Sequence, residues 1–216
     1  MADAAAAAPH VSDLNLDARL EAQLRFLVTV DALKHVERRT LTADGRRLEN
    51  SAEHSWHVAL YVRVLAEHSP EPIDVDRVIL MALLHDIVEI DAGDTFLYDV
   101  AGRAGQVERE RAAADRLFAL LPLDQSTLLR AIWDEFCAAE SPEARLANAI
   151  DRLQPILHNF LTAGERWLAH GISVDQVRTL NLPVTDDVPP LGDVVRRIIA
   201  HAAAAGWLAD GDAPER

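Results

Sequence analysis

Two histidines and a set of carboxylates stand at positions that could share one divalent cation: His54, the adjacent pair His85-Asp86, and Asp151. Imidazole nitrogens and carboxylate oxygens make a mixed donor set that suits ions of borderline hardness such as Mn, Fe, Co, Ni or Zn. Neighbouring residues of a helix point about 100° apart, so His85 and Asp86 can both reach one ion lodged between helices. Asp86 follows the apolar run Met81-Ala82-Leu83-Leu84. A charge there is costly to bury without a partner, and a cation is such a partner. An isolated His-Asp pair in a helix is ordinarily no more than a capped or salt-bridged pair. Here Glu89 follows on the same helical face, and Asp94 comes just after in Asp91-Ala92-Gly93-Asp94, a grouping that makes a poor core and a good site.

Helices must carry these residues. From Leu14 to Val36 apolar residues recur at helical spacing, with Asp13 available as N-cap. Glu37 to Asn50 is charged and turns at Asp44-Gly45, so it reads as a loop holding Arg38, Arg39, Arg46 and Arg47. Ser51 caps a second helix, which Ser69-Pro70-Glu71-Pro72 ends. Asp74 opens a third, apolar almost all round, that continues through Ile87 and stops near Gly93. Further helices are expected over Val107 to Leu121, Asp124 to Ala139, and Pro142 to Ala169, the last carrying Asp151. Beyond Gly171 the pattern predicts a short helix from Val174 to Leu180, a connector containing Pro183, Pro189 and Pro190, and a final helix from Leu191 to Ala205. No stretch alternates cleanly as a strand would. The expectation is an all-α, single-domain helical bundle, with a disordered tail over 1–12, a core over 13–169 and a helical extension over 170–216 packed on it.

Composition narrows the partners. The chain has 216 residues, half of them hydrophobic but only 5% aromatic, with 21 Lys plus Arg against 35 Asp plus Glu. The resulting net charge of −14 disfavours nucleic-acid polymers and anionic membrane surfaces. A single cysteine, Cys137, precludes an intramolecular disulfide framework, reads as a buried small residue, and fits a reducing cytoplasm. No apolar run approaches the roughly 18 residues of a membrane span. The nucleophile elbow Gly-x-Ser-x-Gly, a phosphate-cradling glycine loop and His-Glu-x-x-His are all missing from the sequence.

In order, His54, His85-Asp86 and Asp151 resemble the signature of the HD-domain metal-dependent phosphohydrolases. Within that superfamily the chain is most similar to the 5′-deoxynucleotidase group, through Leu33-Lys34-His35-Val36-Glu37-Arg38, Glu49-Asn50-Ser51-Ala52-Glu53-His54-Ser55, Leu84-His85-Asp86-Ile87-Val88-Glu89 and Gly93-Asp94. The resemblance implies an HD-type bundle in which His54, His85, Asp86 and Asp151 ligate the ion. It also implies that Arg38 grips the substrate phosphate, while Glu89 and Asp94 activate or orient the attacking water. The implied reaction is hydrolysis of (deoxy)nucleoside 5′-monophosphates to nucleoside and phosphate. Dinuclear members place additional histidines between the His-Asp pair and the late Asp, and this chain has none there. One divalent ion (Mn, Co, Fe, Ni, Zn or Mg) is therefore expected, which argues against oxygenase chemistry at a di-iron centre.

Other residues receive plainer expectations. Trp56, flanked by His54 and His57, is placed at the pocket edge as a substrate contact. His57 lies one turn from His54, but the resembling group keeps no histidine there. His68, His158, His170 and His201 read as structural or exposed. Arg39 stands where the bacterial nucleotidases carry a Trp. Val194, Val195, Ile198 and Ile199 should close the bundle or form a face of a homodimer. The rivals are a regulator that binds a nucleotide or phosphorylated metabolite without turnover, and an HD-type hydrolase acting on a different small phosphate ester.

Overall fold

Asp17, not Asp13, starts the first α-helix. In the computed structural model, which describes residues 8–211, the Asp17 carboxylate accepts hydrogen bonds from the amides of Arg19 and Leu20 and opens α1 (Ala18–Val30). The single helix expected over Leu14 to Val36 is thus three pieces, with 3₁₀ turns at Val11–Leu14 and Asp31–His35 on either side of α1. Residues 1–7 of the expected tail, and 212–216 of the expected extension, lie outside the described residues.

The segment expected to be a loop is a hairpin. Strands β1 (Glu37–Leu41) and β2 (Leu48–Asn50) pair antiparallel, with Glu37 opposite Asn50 and Leu41 opposite Leu48 and an irregular register between. Its turn is set by the Asp44 carboxylate, which accepts from the Thr42 hydroxyl and the Arg46 amide, and by Gly45 at φ +72°. Asn50 then caps α2 (Ser51–Leu65) in a reciprocal box with Glu53, so Ser51 is the first helical residue and its hydroxyl is free for another partner.

Asp74 opens α3 (Val75–Leu84) as expected, but the α-helix stops at Leu84. Residues 85–88 form tight turns, with the Glu89 amide donating to the Asp86 carbonyl, before the single turn α4 (Glu89–Ala92). Then follow α5 (Gln106–Phe118), α6 (Leu123–Ala138) and α7 (Pro142–Leu161), the last capped by Ser141. The helix expected to reach Ala169 breaks at Ala163 and Gly164, both at positive φ, and resumes as α8 (Glu165–His170). Proline misled the reading of the C-terminal part. Pro183 lies inside α9 (Val174–Thr185), and Pro189 with Pro190 opens α10 (Pro189–Ala204), where a missing amide hydrogen costs nothing.

The long helix α7 is the axis of the bundle: α2, α3, α6, α9 and α10 all pack on it. One apolar cluster extends from Phe26 to Leu208, with Ala144, Ala147, Ala149 and Ile150 of α7 fully enclosed. Val195, Ile198 and Ile199 are buried in that cluster and close the bundle, whereas Val194 is exposed. Among the described residues no helix is long and apolar enough to cross a membrane. Cys137 is exposed on α6, not buried as expected.

Gly164 is a tight joint in this architecture. At φ +69°, a Cβ there would lie 2.5 Å from the Cβ of Trp207. Gly164→Ala should therefore destabilise the fold by about 1–3 kcal/mol, read as a lower midpoint in chemical denaturation at unchanged m-value. A change below a few tenths would mean that the 163–164 joint relaxes freely.

Candidate metal centre

Three elements deliver the four expected ligands to one point. His54 comes from the first turns of α2, His85 and Asp86 from the turn after α3, and Asp151 from the middle of α7. His54 Nε2 lies 2.9 Å from Asp151 Oδ1, and His85 Nε2 lies 3.4 Å from the same oxygen. Asp86 closes the group, with Oδ1 3.0 Å from His85 Nε2 and Oδ2 4.0 Å from His54 Nε2. The ligand atoms of His54, His85 and Asp151 all fall within 4.8 Å of one another. Because α3 ends at Leu84, His85 and Asp86 converge through a tight turn and not through the regular helical fan expected from the sequence.

The second nitrogen of each imidazole fixes its orientation. His85 Nδ1 donates to the Ala82 carbonyl at 2.9 Å, and His54 Nδ1 donates to Gln154 Oε1 at 3.0 Å. In both rings this leaves Nε2 facing the carboxylates. His85 Nε2 is buried and has no hydrogen-bond partner of its own. Burial works against a charge on His85, but Asp86 and then Asp151 outweigh it and push its pKa up to about 9. Against the opposing push of burial, the hydrogen bond from His54 and the nearby imidazole of His85 hold the Asp151 carboxyl well below the usual carboxylate range. The site thus calls for positive charge at the point where the Nε2 atoms and carboxylates meet. A divalent cation fits that requirement with these donors.

Beside this group stands Arg38 of β1, its side chain only 13% exposed, with Nη1 2.8 Å from Asp86 Oδ2 and 3.7 Å from Asp94 Oδ1. Burial disfavours its charge, but the surrounding Asp86, Glu89, Asp94 and Asp151 more than compensate and keep it cationic. Glu89 accepts a 2.5 Å hydrogen bond from the Ser51 hydroxyl, the group freed by the Asn50 cap. Burial, and then the charge of Asp86, push the Glu89 carboxyl up to about 9. Asp94 is raised for the same two reasons, with Arg38 opposing. Each carboxylate beside Asp86 is thus ready to gain from a nearby cation.

These groups floor an open cleft of about 750 Å³, lined by Arg38, His85, Asp86, Glu89, Asp94 and Asp151 on one side and by Phe96, Tyr98 and Asn181 on another. His54 lies behind them with no exposed surface. Trp56 does not reach the cleft: its ring is 60% exposed and stacks on His57, because its position on α2 points away from His54. The expected role of Trp56 as a substrate contact is corrected accordingly.

The sequence does not foresee the cluster behind the ligands. Glu49, His57 and His158 also place donor atoms within 4.8 Å of one another, the geometry of a second ion site. The amide nitrogen of Gln154 already stands among them, 2.7 Å from Glu49 Oε1, 3.4 Å from His57 Nδ1 and 3.3 Å from His158 Nε2. A donor amide there occupies the centre of the cluster and turns its own oxygen toward His54, so the cluster orients a ligand. One signal was available: Gln154 lies three residues after Asp151 and shares its inward face of α7.

Comparison with known proteins agrees with this geometry. The HD domain family profile matches residues 30–189. A protein from Magnetospirillum magnetotacticum described as a predicted metal-dependent phosphohydrolase is 47% identical and superposes with a TM-score of 0.84, covering 89% of this chain and all of that one. The bovine 5′-deoxynucleotidase HDDC2 is 30% identical over 135 residues, which span 62% of this chain and 64% of the bovine protein. A conserved hypothetical protein from Pyrococcus furiosus, 21% identical, shares the fold with a TM-score of 0.54 over 84% of this chain and 99% of that one. A helical bundle that turns His, His-Asp and Asp inward in that order, and that matches the HD profile along most of its length, places the chain in the HD-domain family.

Proposed function

We propose that the protein is a metal-dependent phosphomonoesterase whose substrates are (deoxy)nucleoside 5′-monophosphates. The observation that carries this reading is the unpartnered His85 Nε2, aimed at Asp86 and Asp151 on the floor of a cleft whose next residue is the cationic Arg38. His54, His85, Asp86 and Asp151 would hold one divalent ion, which when bound supplies Lewis-acid polarisation of the phosphoryl group and acidifies water. The Arg38 guanidinium binds the non-bridging phosphate oxygens through its planar fork. Once the ion's charge favours their ionised forms, Asp94, within 3.7 Å of Arg38, and Glu89, held by Ser51, are placed to take the proton from the attacking water. The water oxygen then bonds to phosphorus, the ester P–O bond breaks, and the proton held by the carboxyl passes to the leaving oxygen, which departs as an alcohol. Phe96 and Tyr98, packed edge to face at 5.2 Å, offer an apolar surface to the nucleoside. The bovine 5′-deoxynucleotidase and the bacterial phosphohydrolase support the reaction class.

A phosphate-release screen over nucleotides and small phosphate esters, with Mn²⁺ or Co²⁺ added to chelator-treated protein, tests the reading. Release from nucleoside 5′-monophosphates that depends on the added ion is expected. Thermal stabilisation by nucleotides with no release across the panel would establish a binding regulator instead.

A further inference from the structure

In a chain with 35 acidic and 21 basic residues, an arginine finds a carboxylate readily, as Arg19, Arg47, Arg77, Arg116, Arg130 and Arg145 do. The cleft departs from this pattern. Arg39, Arg103, Arg111, Arg152 and Arg166 line it, and among the described residues none of them forms an ion pair. They come from β1, the turns before α5, α5 itself, α7 and α8, so no single element accounts for their meeting. The remaining acids of the same walls are engaged elsewhere. Glu110 accepts from the Gln106 amide at 2.6 Å, and Asp134 accepts from Arg130 at 3.0 Å. Arg166 Nε donates to the Arg39 carbonyl at 2.8 Å, which docks α8 on the hairpin, and Arg152 Nε is shielded from solvent with no partner.

Like charges that line one cleft favour an anion among them, and a shielded N–H without an acceptor is an unmet donor. A single phosphate held at Arg38 answers neither fact, because it leaves these five guanidinium groups without an anion and Arg152 Nε without an acceptor. The cleft is also of the size that encloses a whole small molecule, well beyond one phosphate. We propose that the preferred substrate carries a second phosphate group besides the one hydrolysed, bound by these cleft arginines; the class is a nucleoside or sugar bisphosphate. This rests on the phosphomonoesterase reading above and narrows its substrate.

The test compares matched pairs on the Mn²⁺-loaded wild-type protein: adenosine 5′-monophosphate with adenosine 3′,5′-bisphosphate, and ribose 5-phosphate with ribose 1,5-bisphosphate. The bisphosphate of each pair is expected to have a kcat/KM roughly 10- to 100-fold higher, carried by KM and shrinking as salt is raised. In Arg111→Gln and Arg152→Gln that ratio should fall toward one. Calorimetric titration with the same pairs reads affinity whether or not turnover occurs. Hydrolysis of both members with equal kcat/KM and equal affinity overturns the second phosphate site while the phosphomonoesterase stands. Tighter binding of the bisphosphates with no phosphate release overturns the hydrolase and leaves the site standing. Equal affinity without release overturns both.

Discussion

Asp86→Ala should lower kcat/KM for a nucleoside 5′-monophosphate by about 10³-fold or more and remove the stoichiometric divalent ion from the purified protein. Asp86 does two jobs at once: one oxygen lies 3.0 Å from His85 Nε2 and the other 2.8 Å from Arg38 Nη1. Its loss opens the ion cage and releases the guanidinium from its fixed orientation. Polarisation of the phosphoryl group by an ion is worth several kcal/mol of transition-state stabilisation, and each 1.36 kcal/mol is tenfold in rate. Metal analysis and steady-state kinetics on the same preparation check the prediction. Activity within tenfold of wild type, or a full complement of ion, would show that the cage lies elsewhere.

Arg38→Ala should separate two effects that Asp86→Ala combines. The phosphate loses its bidentate fork, which should cost about 10²-fold in kcat/KM, mostly in KM, and Arg38→Lys should recover only part because an ammonium is a point charge. The second effect is on the fold. Arg38 is the buried countercharge to Asp86 and Asp94 and lies 3.9 Å from the buried Glu49, so its removal leaves carboxylates facing one another in a poorly solvated place. Breaking a buried pair from one side costs about 3–5 kcal/mol. The chelator-treated variant should therefore melt well below wild type, and added Mn²⁺ should restore a larger share of stability to the variant than to wild type. Equal melting temperatures with and without Arg38 would contradict the charge balance described for the site.

The ligands were legible because their residue types are costly where they stand: a charge after Met81-Ala82-Leu83-Leu84 has few explanations other than a partner. The helix boundaries that mattered least were read best, since Asp74 and Ser141 are strong caps. The hairpin was hidden for a physical reason. Strand alternation is visible only when one face is apolar, and the inward face of β1 carries Arg38 for the site beside Thr40 for the core. The spacing of Gln154 after Asp151 shows that it faces inward but not what it holds, because a buried amide pairs through geometry between α7, α2 and the hairpin. The break at Ala163-Gly164 follows from how Trp207 packs on it, and that contact is set by chain 43 positions away.

The hairpin also divides the labour of change. Each expected ion ligand sits on a helix or helix end, tied into the core cluster or to backbone carbonyls, so a substitution there is felt by the whole bundle. Arg38 and its neighbour Arg39 ride instead on a short two-stranded ribbon, Arg38 turned in toward Asp86 and Arg39 left on the exposed rim of the cleft. Residue 39 can therefore vary at little cost to folding while it alters what lies against the cleft mouth. In evolutionary terms the reaction is housed in the rigid part of the molecule and the choice of substrate in a part that tolerates drift. A library randomised at position 39 would sample new preferences without spending the stability on which the chemistry depends.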